Sequence, residues 1–304
     1  MTNYYEKRPA VRIDGWCVSG WNEILQKVSH DMEDARVLIV EGYTGIYYHQ
    51  IKQFLQRLAN NTFIDTADLL KTEDEIRELT DGFLTEDVLF GHLTYLELSD
   101  FFDSEKLMKA QHKVAETNGK VIIFGFGASL VYRGGLLIYA DMPRWEIQQR
   151  MRRKEVNGIG VNNHTEYISL QYKRGYFNDW KVLDRHKQTL FNEVDYWLDT
   201  CLTEQPKLID KKTFHDGLEK AATSPFRVVP FFDPAPWGGQ WMKRICGLDP
   251  SVSNYGWCFD CVPEENSLLL RVGDTDFEMP AVNLVYLKSK KLLGEFVEAR
   301  FGKE

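Results

Sequence analysis

Three things are scarce in this chain, and each scarcity removes a class of function. Basic residues are outnumbered, 37 Lys and Arg against 45 Asp and Glu, leaving a formal charge of −8. A nucleic-acid binder presents a basic face to phosphates, so no nucleic-acid partner is expected. The five cysteines are odd in number and scattered, unlike a disulfide framework, and they suit a reducing cytoplasm. Long apolar runs are missing too. The N-terminal MTNYYEKRPAVRIDGW has no apolar signal core, and no stretch approaches the length of a membrane span, so no membrane partner is expected. No internal repeat, Ser-His-Asp order, nucleophile elbow or HExxH is present.

What remains is the composition of an ordered protein. Apolar residues make up 43% and aromatics 13% of 304 residues, which argues against disorder and for two domains, each with its own core. The expected fold class is α/β. A three-layer, parallel-sheet domain over residues 1–224 precedes a small β-rich segment over residues 225–304.

The first domain alternates short apolar runs with helical patterns. The run 36–41 ends at Gly42-Tyr43-Thr44-Gly45, and apolar residues then recur at Ile51, Phe54, Leu55 and Leu58. That is a buried strand, a glycine turn and an amphipathic helix. Residues 61–65 could start a second strand. Runs at 120–124 and 135–141 read as further strands, the latter leading through Pro143 to a helix from Trp145 to about Lys154. Continuous apolar strands separated by helices imply a parallel sheet covered on both faces. Ligands on such sheets sit beyond the carboxyl ends of the strands, where these glycine turns lie.

This arrangement is similar to P-loop kinases, particularly the nucleoside and uridine kinase group. A working loop of that kind reads GxxxxGK[ST], with lysine on the phosphates and a hydroxyl on magnesium. Here the stretch Gly42-Tyr43-Thr44-Gly45-Ile46-Tyr47-Tyr48-His49 lacks the Gly-Lys pair and the following Ser or Thr, so phosphoryl transfer by the usual mechanism is not expected. Residues 143–154 resemble the lid helix of those kinases. The resemblance implies Gly42, Gly45, Arg144, Arg150 and Arg153 as a phosphate-binding set. Glu146 is spaced for an i,i+4 pair with Arg150, and a solvated face of local ion pairs is the other reading. The cations of Lys173-Arg174 and Arg185-His186-Lys187 could complete an anion site or form salt-bridged helix surfaces. Asp141 fits a metal ligand, an acid or a helix cap; His164, in a Gly- and Asn-rich loop, fits a catalytic or a solvated histidine.

Farther along, residues 187–202 read as a helix with Leu190, Val194, Trp197 and Leu198 on one face, and residues 210–222 as another. Short strands are expected at 226–232, 256–262, 267–272 and 283–287, with a last helix over 292–301.

The segment FFDPAPWGGQWMKRICGLD at 231–249 carries two prolines, a Gly-Gly pair and two tryptophans, and its part 233–239 cannot be regular helix or central strand. Either it lines a pocket or it is an aromatic plug under a loop. Trp237-Gly238-Gly239, then 255–259, then Leu292-Leu293-Gly294, resemble in order and spacing the opening of the catalytic cupin domain in class I mannose-6-phosphate isomerases. The long bacterial variant of these carries an extra α/β domain in front. The resemblance implies interconversion of mannose 6-phosphate and fructose 6-phosphate, with Trp237, Gly238, Gly239 and Lys243 flanking the substrate. It also implies zinc in the full-length family. The family's zinc ligands lie beyond the leucine-glycine helix, however, and the last of this chain's seven histidines is His215. No cofactor is therefore expected in this chain, and Cys258 with Cys261 is a lone CxxC pair. A separate catalytic cupin domain or chain is the implied partner. The alternative is a catalytically silent kinase relative that holds a phosphorylated sugar or nucleotide and regulates a partner.

Overall fold

The computed structural model describes residues 8–58, 62–224, 232–233, 244–247, 249, 254–255 and 267–287. The chain divides into two compact units. One is Gly15–Met142 with Glu146–Phe214; the other is Met1–Asp14, Pro143–Trp145 and His215–Glu304. In chain order the described elements are β1 (Ala10–Ile13), β2 (Cys17–Ser19), α1 (Trp21–Asp31), β3 (Val37–Gly42), α2 (Tyr48–Gln56), β4 (Thr62–Asp65), α3 (Glu73–Leu84), α4 (Ser104–Glu116), β5 (Val121–Gly125), α5 (Ala128–Val131), β6 (Leu136–Asp141) and α6 (Arg144–Arg152). Then come α7 (Ile168–Arg174), a π-helical turn (Gly175–Asp179), α8 (Trp180–Leu190), β7 (Tyr196–Asp199), β8 (Lys207–Asp210), α9 (Lys211–Thr223), β9 (Phe232–Asp233), β10 (Asn254–Tyr255), β11 (Ser267–Val272) and β12 (Thr275–Pro280).

The larger unit is mixed α/β. Its seven-stranded sheet has the order β2-β8-β7-β6-β3-β5-β4. The five strands from β7 to β4 are parallel, and β8 and β2 close one edge antiparallel. All six residues of β3 and all five of β5 are buried, as central strands covered on both faces require. From β3 the chain runs to the far edge strand β4, whereas β4, β5 and β6 each connect in the opposite direction. With right-handed crossovers this puts the connecting helices on opposite faces. The packing agrees. On one face Trp21 of α1 stacks on Phe54 of α2 at 4.1 Å. On the other Gln111 of α4 donates to the Leu130 carbonyl in α5, and Ser129 of α5 bonds His186 of α8. The carboxyl end of β3 is therefore the point where the sheet's connections diverge, which is where such folds hold ligands.

Two expectations fail here, each for a physical reason. The apolar pattern over 187–202 is not one helix. The amides of Glu193 and Val194 close on the Leu190 carbonyl, and residues 196–199 then form β7, paired in parallel with β6. A short run buried on both sides satisfies helical and strand patterns alike, so spacing could not separate them. Trp197 of β7 stacks on Phe214 at 4.0 Å inside the core. In the smaller unit residues 281–286 form a 3-10 helix after Pro280 instead of a strand. The second strand of that hairpin is β12, where buried Phe277 and Met279 alternate with Asp276 and Glu278. There the sheet order is β1-β11-β12, β1 running parallel to β11 and β12 antiparallel to it. The Lys220 ammonium of α9 reaches the Arg12 carbonyl at 2.6 Å, and Gly217 lies so close to the Leu270 side chain that a Cβ would come within 2.4 Å. The expected strand at 256–262 and helix at 292–301 lie outside the described residues. Among the described residues, no helix is long and apolar enough to cross a membrane.

At the antiparallel edge, burial pushes the Cys17 thiol of β2 up to about 11. Only the thiolate is nucleophilic, so this rise leaves on the order of a hundredth of the ordinary thiolate share at a pH well below that value. In the folded protein near pH 8, Cys17 is expected to alkylate on the order of a hundredfold more slowly than in the urea-unfolded chain. Peptide mapping of alkylated protein checks this; equal rates in the two states would contradict the assigned burial.

Candidate functional site

The loop after β3 passes directly into α2, and the side chains of the first turn of that helix face the end of β4. Tyr48 and Lys52, one turn apart, both reach Asp65, the last residue of β4. Tyr48 donates to Asp65 Oδ1 at 2.5 Å and Lys52 Nζ to Oδ2 at 2.5 Å. The Ala67 amide adds a third donor at 2.9 Å, because Asp65 also caps the 3-10 turn Thr66–Leu69. Burial first, then the Asp65 carboxylate, holds the Tyr48 phenol well above its ordinary range, so it stays a donor. The hydrogen bond to Asp65 raises the Lys52 ammonium, which stays charged. Three donors leave room at Asp65 for about one more, since a carboxylate accepts at about four lone-pair sites. The glycine at the end of β5 makes this approach feasible. Gly125 has φ of 130°, and a Cβ there would lie 2.3 Å from the Tyr48 hydroxyl and 2.1 Å from Thr66 Oγ1.

These three residues border a cleft of about 750 Å³. It is lined by the loop Gly45–Tyr48, by Lys71 and Glu73 at the start of α3, by Glu155, Asn157 and Asn162 beyond α6, and by Phe126 after β5. A cleft of this size suits a small organic ligand. Four carboxylates (Asp65, Asp68, Glu73 and Glu155) line it against two lysines, Lys52 and Lys71. Three of the acids already have cationic partners, Asp65 with Lys52 at 2.5 Å, Glu73 with Arg77 at 2.8 Å and Glu155 with Arg153 at 2.9 Å.

Each described residue proposed from sequence has a definite place. Gly42 closes β3 opposite Ala140 of β6, and Gly45 takes φ of 90° with Ile147 packed where a Cβ would project. Arg150 pairs with Glu146 at 2.9 Å, as its spacing implied. It is also fully enclosed: its remaining donors reach the carbonyls of Gly45 at 2.8 Å and Thr200 at 2.7 Å, and its guanidinium lies over Tyr47. Arg153 is about half exposed and bonds Glu146 and Glu155. Arg144 is buried in the stretch Pro143–Trp145 that belongs to the smaller unit. Trp237, Gly238, Gly239 and Lys243 lie outside the described residues. Asp141 pairs with Lys187 at 3.0 Å, and His164 bonds Asn157 and Asn162 within its loop. Lys173 and Arg185 donate to backbone carbonyls, and Arg174 pairs with Asp179 at 3.3 Å.

Two arrangements were not visible beforehand. The Tyr48–Lys52–Asp65 cluster joins residues from a helix and a strand end; a firm end for β4 would have pointed to Asp65. The second is Glu41, fully buried, which accepts from the Gly127 and Ser129 amides at 2.5 and 2.9 Å and lies 3.5 Å from His186 Nε2. Ser129 Oγ meets the same Nε2 at 2.9 Å, so the carboxylate does not orient the far ring nitrogen as a hydrolase relay requires. The group instead fastens the β5–α5 loop to β3. Among the described residues, no group of three or more His, Cys, Asp or Glu converges to hold a metal ion. The zinc of the isomerase resemblance has no fitting ligand set among them.

A family model described as a domain of unknown function (DUF8485) matches residues 20–223. No curated protein and no solved structure matches the chain.

Proposed function

The chain belongs to this family of unknown function (DUF8485), and we propose that its α/β unit binds a phosphorylated sugar in the cleft beyond β3 and β4. In this reading it is a kinase-like binding module that does not transfer phosphoryl groups through a Walker loop. The observation that carries it is the Tyr48–Lys52–Asp65 cluster, a charged, hydrogen-bonded group on the border of a ligand-sized cleft at the divergence point of the sheet. A strand leading by a short loop into a helix supports the kinase-like comparison, while Tyr47 and Tyr48 stand where a Walker loop carries small residues and lysine.

Charge favours one of the two ligand classes. Three of the cleft's four carboxylates are already paired with Lys52, Arg77 and Arg153, so few cations are left over for a triphosphate, whereas sugar hydroxyls find acceptors and a single phosphate can meet Lys52 or Lys71. The same ligand class links this unit to the isomerase resemblance. That reaction would need a catalytic cupin domain or chain supplying zinc, and it rests on sequence resemblance alone.

Calorimetric titration tests the reading. Mannose 6-phosphate or fructose 6-phosphate is expected to bind more tightly than ATP or UTP. Lys52→Met is expected to weaken that binding by about tenfold or more, the loss of one charge-assisted contact. Tighter binding of ATP, or no difference between wild type and Lys52→Met, would overturn it. Detectable phosphoryl transfer from ATP would contradict the reading of the loop.

A further inference from the structure

The stretch that follows α3 leaves a group of apolar side chains standing in solvent. Val88, Leu89, Phe90, Leu93 and Tyr95 are 59–80% exposed, and Leu170 of α7 lines the same recess as Val88. Single apolar residues on a surface are ordinary; a contiguous group marks an interaction site.

The loop that carries them is fixed at its base. Asp87 Oδ1 accepts from the amides of Leu89 and Phe90 at 2.7 Å each, and Thr85 Oγ1 donates to the Phe90 carbonyl at 2.8 Å. The His92 amide reaches the Phe83 carbonyl at 2.7 Å and the Thr94 amide that of Phe177 at 2.9 Å. The buried Lys173 ammonium donates to the carbonyls of Thr85 and Asp87, and Arg185 donates to those of Thr94 and Leu96. Gly91 sits so close to Phe83 and Phe177 that a Cβ would come within 2.5 Å of the Phe83 carbonyl oxygen. A loop held this way presents its side chains in one arrangement, so covering them costs little further ordering.

We propose that this face is a homodimer interface, on which a second copy of this chain docks about a two-fold axis. Area favours it: these six side chains expose on the order of 750 Å², and a stable interface takes about 800 Å² from each partner. Shape favours it too. Val88 and Leu170 line a recess of about 200 Å³, and the next two residues along the loop, Leu89 and Phe90, are well exposed, so a hollow and prominent apolar side chains occur within one short stretch. An isologous contact needs that self-complementarity. The recess carries both signs of charge, Arg77 and Lys173 with Glu86 and Glu166, so two copies can meet without a like-charge seam. An anionic bilayer would instead face Glu86, Asp87 and Glu97.

Sedimentation equilibrium on the full chain, with Leu89→Asp, Phe90→Asp and Tyr95→Asp, tests this. All three side chains stand in solvent, so an unchanged circular dichroism spectrum is expected for each variant. Wild type is expected at twice the chain mass, and each variant is expected to raise the dissociation constant on the order of a hundredfold. A wild type that stays a single chain at roughly 100 μM overturns the proposal, as does a dimer that persists in all three variants. Single-chain wild type that pelleted with phosphatidylserine vesicles would assign the face to membrane and overturn it as well.

Discussion

Replacing Lys187 with methionine is expected to destabilise the larger unit by about 3–5 kcal/mol, the cost of leaving one member of a buried pair without its partner. Lys187 is fully enclosed on α8 and Asp141 is 4% exposed at the end of β6, with Nζ 3.0 Å from both carboxylate oxygens. The ammonium also lies 4.7 Å from the Tyr43 ring, a second favourable contact for the charge. Removing it takes the ammonium from a carboxylate that water reaches poorly, leaving the Met142 amide as a neutral donor at 3.0 Å. For a unit of this size the melting temperature should fall on the order of 10 °C. The pair's geometry makes a sharper test possible. Lys187→Met combined with Asp141→Leu removes both charges, and the double variant should recover part of the loss, because burying an ion pair is itself costly. A single variant melting within about 2 °C of wild type would mean the pair is not enclosed as described.

Arg150→Met is expected to be nearly as damaging, at about 3 kcal/mol or more. Its guanidinium is the partner of the Gly45 and Thr200 carbonyls, and each buried acceptor left without a donor costs about 1–3 kcal/mol. Those carbonyls belong to the loops after β3 and β7, so Arg150 ties two loops at the carboxyl edge of the sheet to α6. Thermal melts and hexose-phosphate titrations on the same variant separate this role from that of a phosphate clamp. A positional role predicts a large fall in melting temperature. A clamp predicts weakened binding at unchanged stability, and that result would return Arg150 to the phosphate-binding set. Arg150→Lys should not rescue, because an ammonium lacks the planar fork that spans Gly45, Thr200 and Glu146 together.

The ends of the main strands could be read from residue order because their signals are local. The apolar run at 36–41, the glycine turn behind it and the Ile51/Leu55 stripe of α2 each need only a few neighbouring residues, and β3 and α2 are where they point. The Glu146–Arg150 pair is equally local, fixed by one helical turn. The boundary between α8 and β7 was not local. Leu190, Val194 and Trp197 are buried in either conformation, and the choice was made by pairing with β6 and stacking on Phe214.

By itself, then, the sequence determined an acidic α/β chain with glycine turns after β3 and β5, and residues 42–49 without the Gly-Lys pair and following Ser or Thr of a Walker loop. Tertiary structure alone decided which charged groups are spent on architecture and which border open space. Arg150 and Lys187 read as members of an anion site or as solvated, salt-bridged cations, yet the protein encloses both; Asp65 read as an unremarked strand residue, yet it meets Tyr48 and Lys52 beside a cleft. The reason is range. Strand and helix patterns come from neighbours a few positions apart, whereas the desolvation and pairing of a charge depend on groups brought from 13 to 105 residues away.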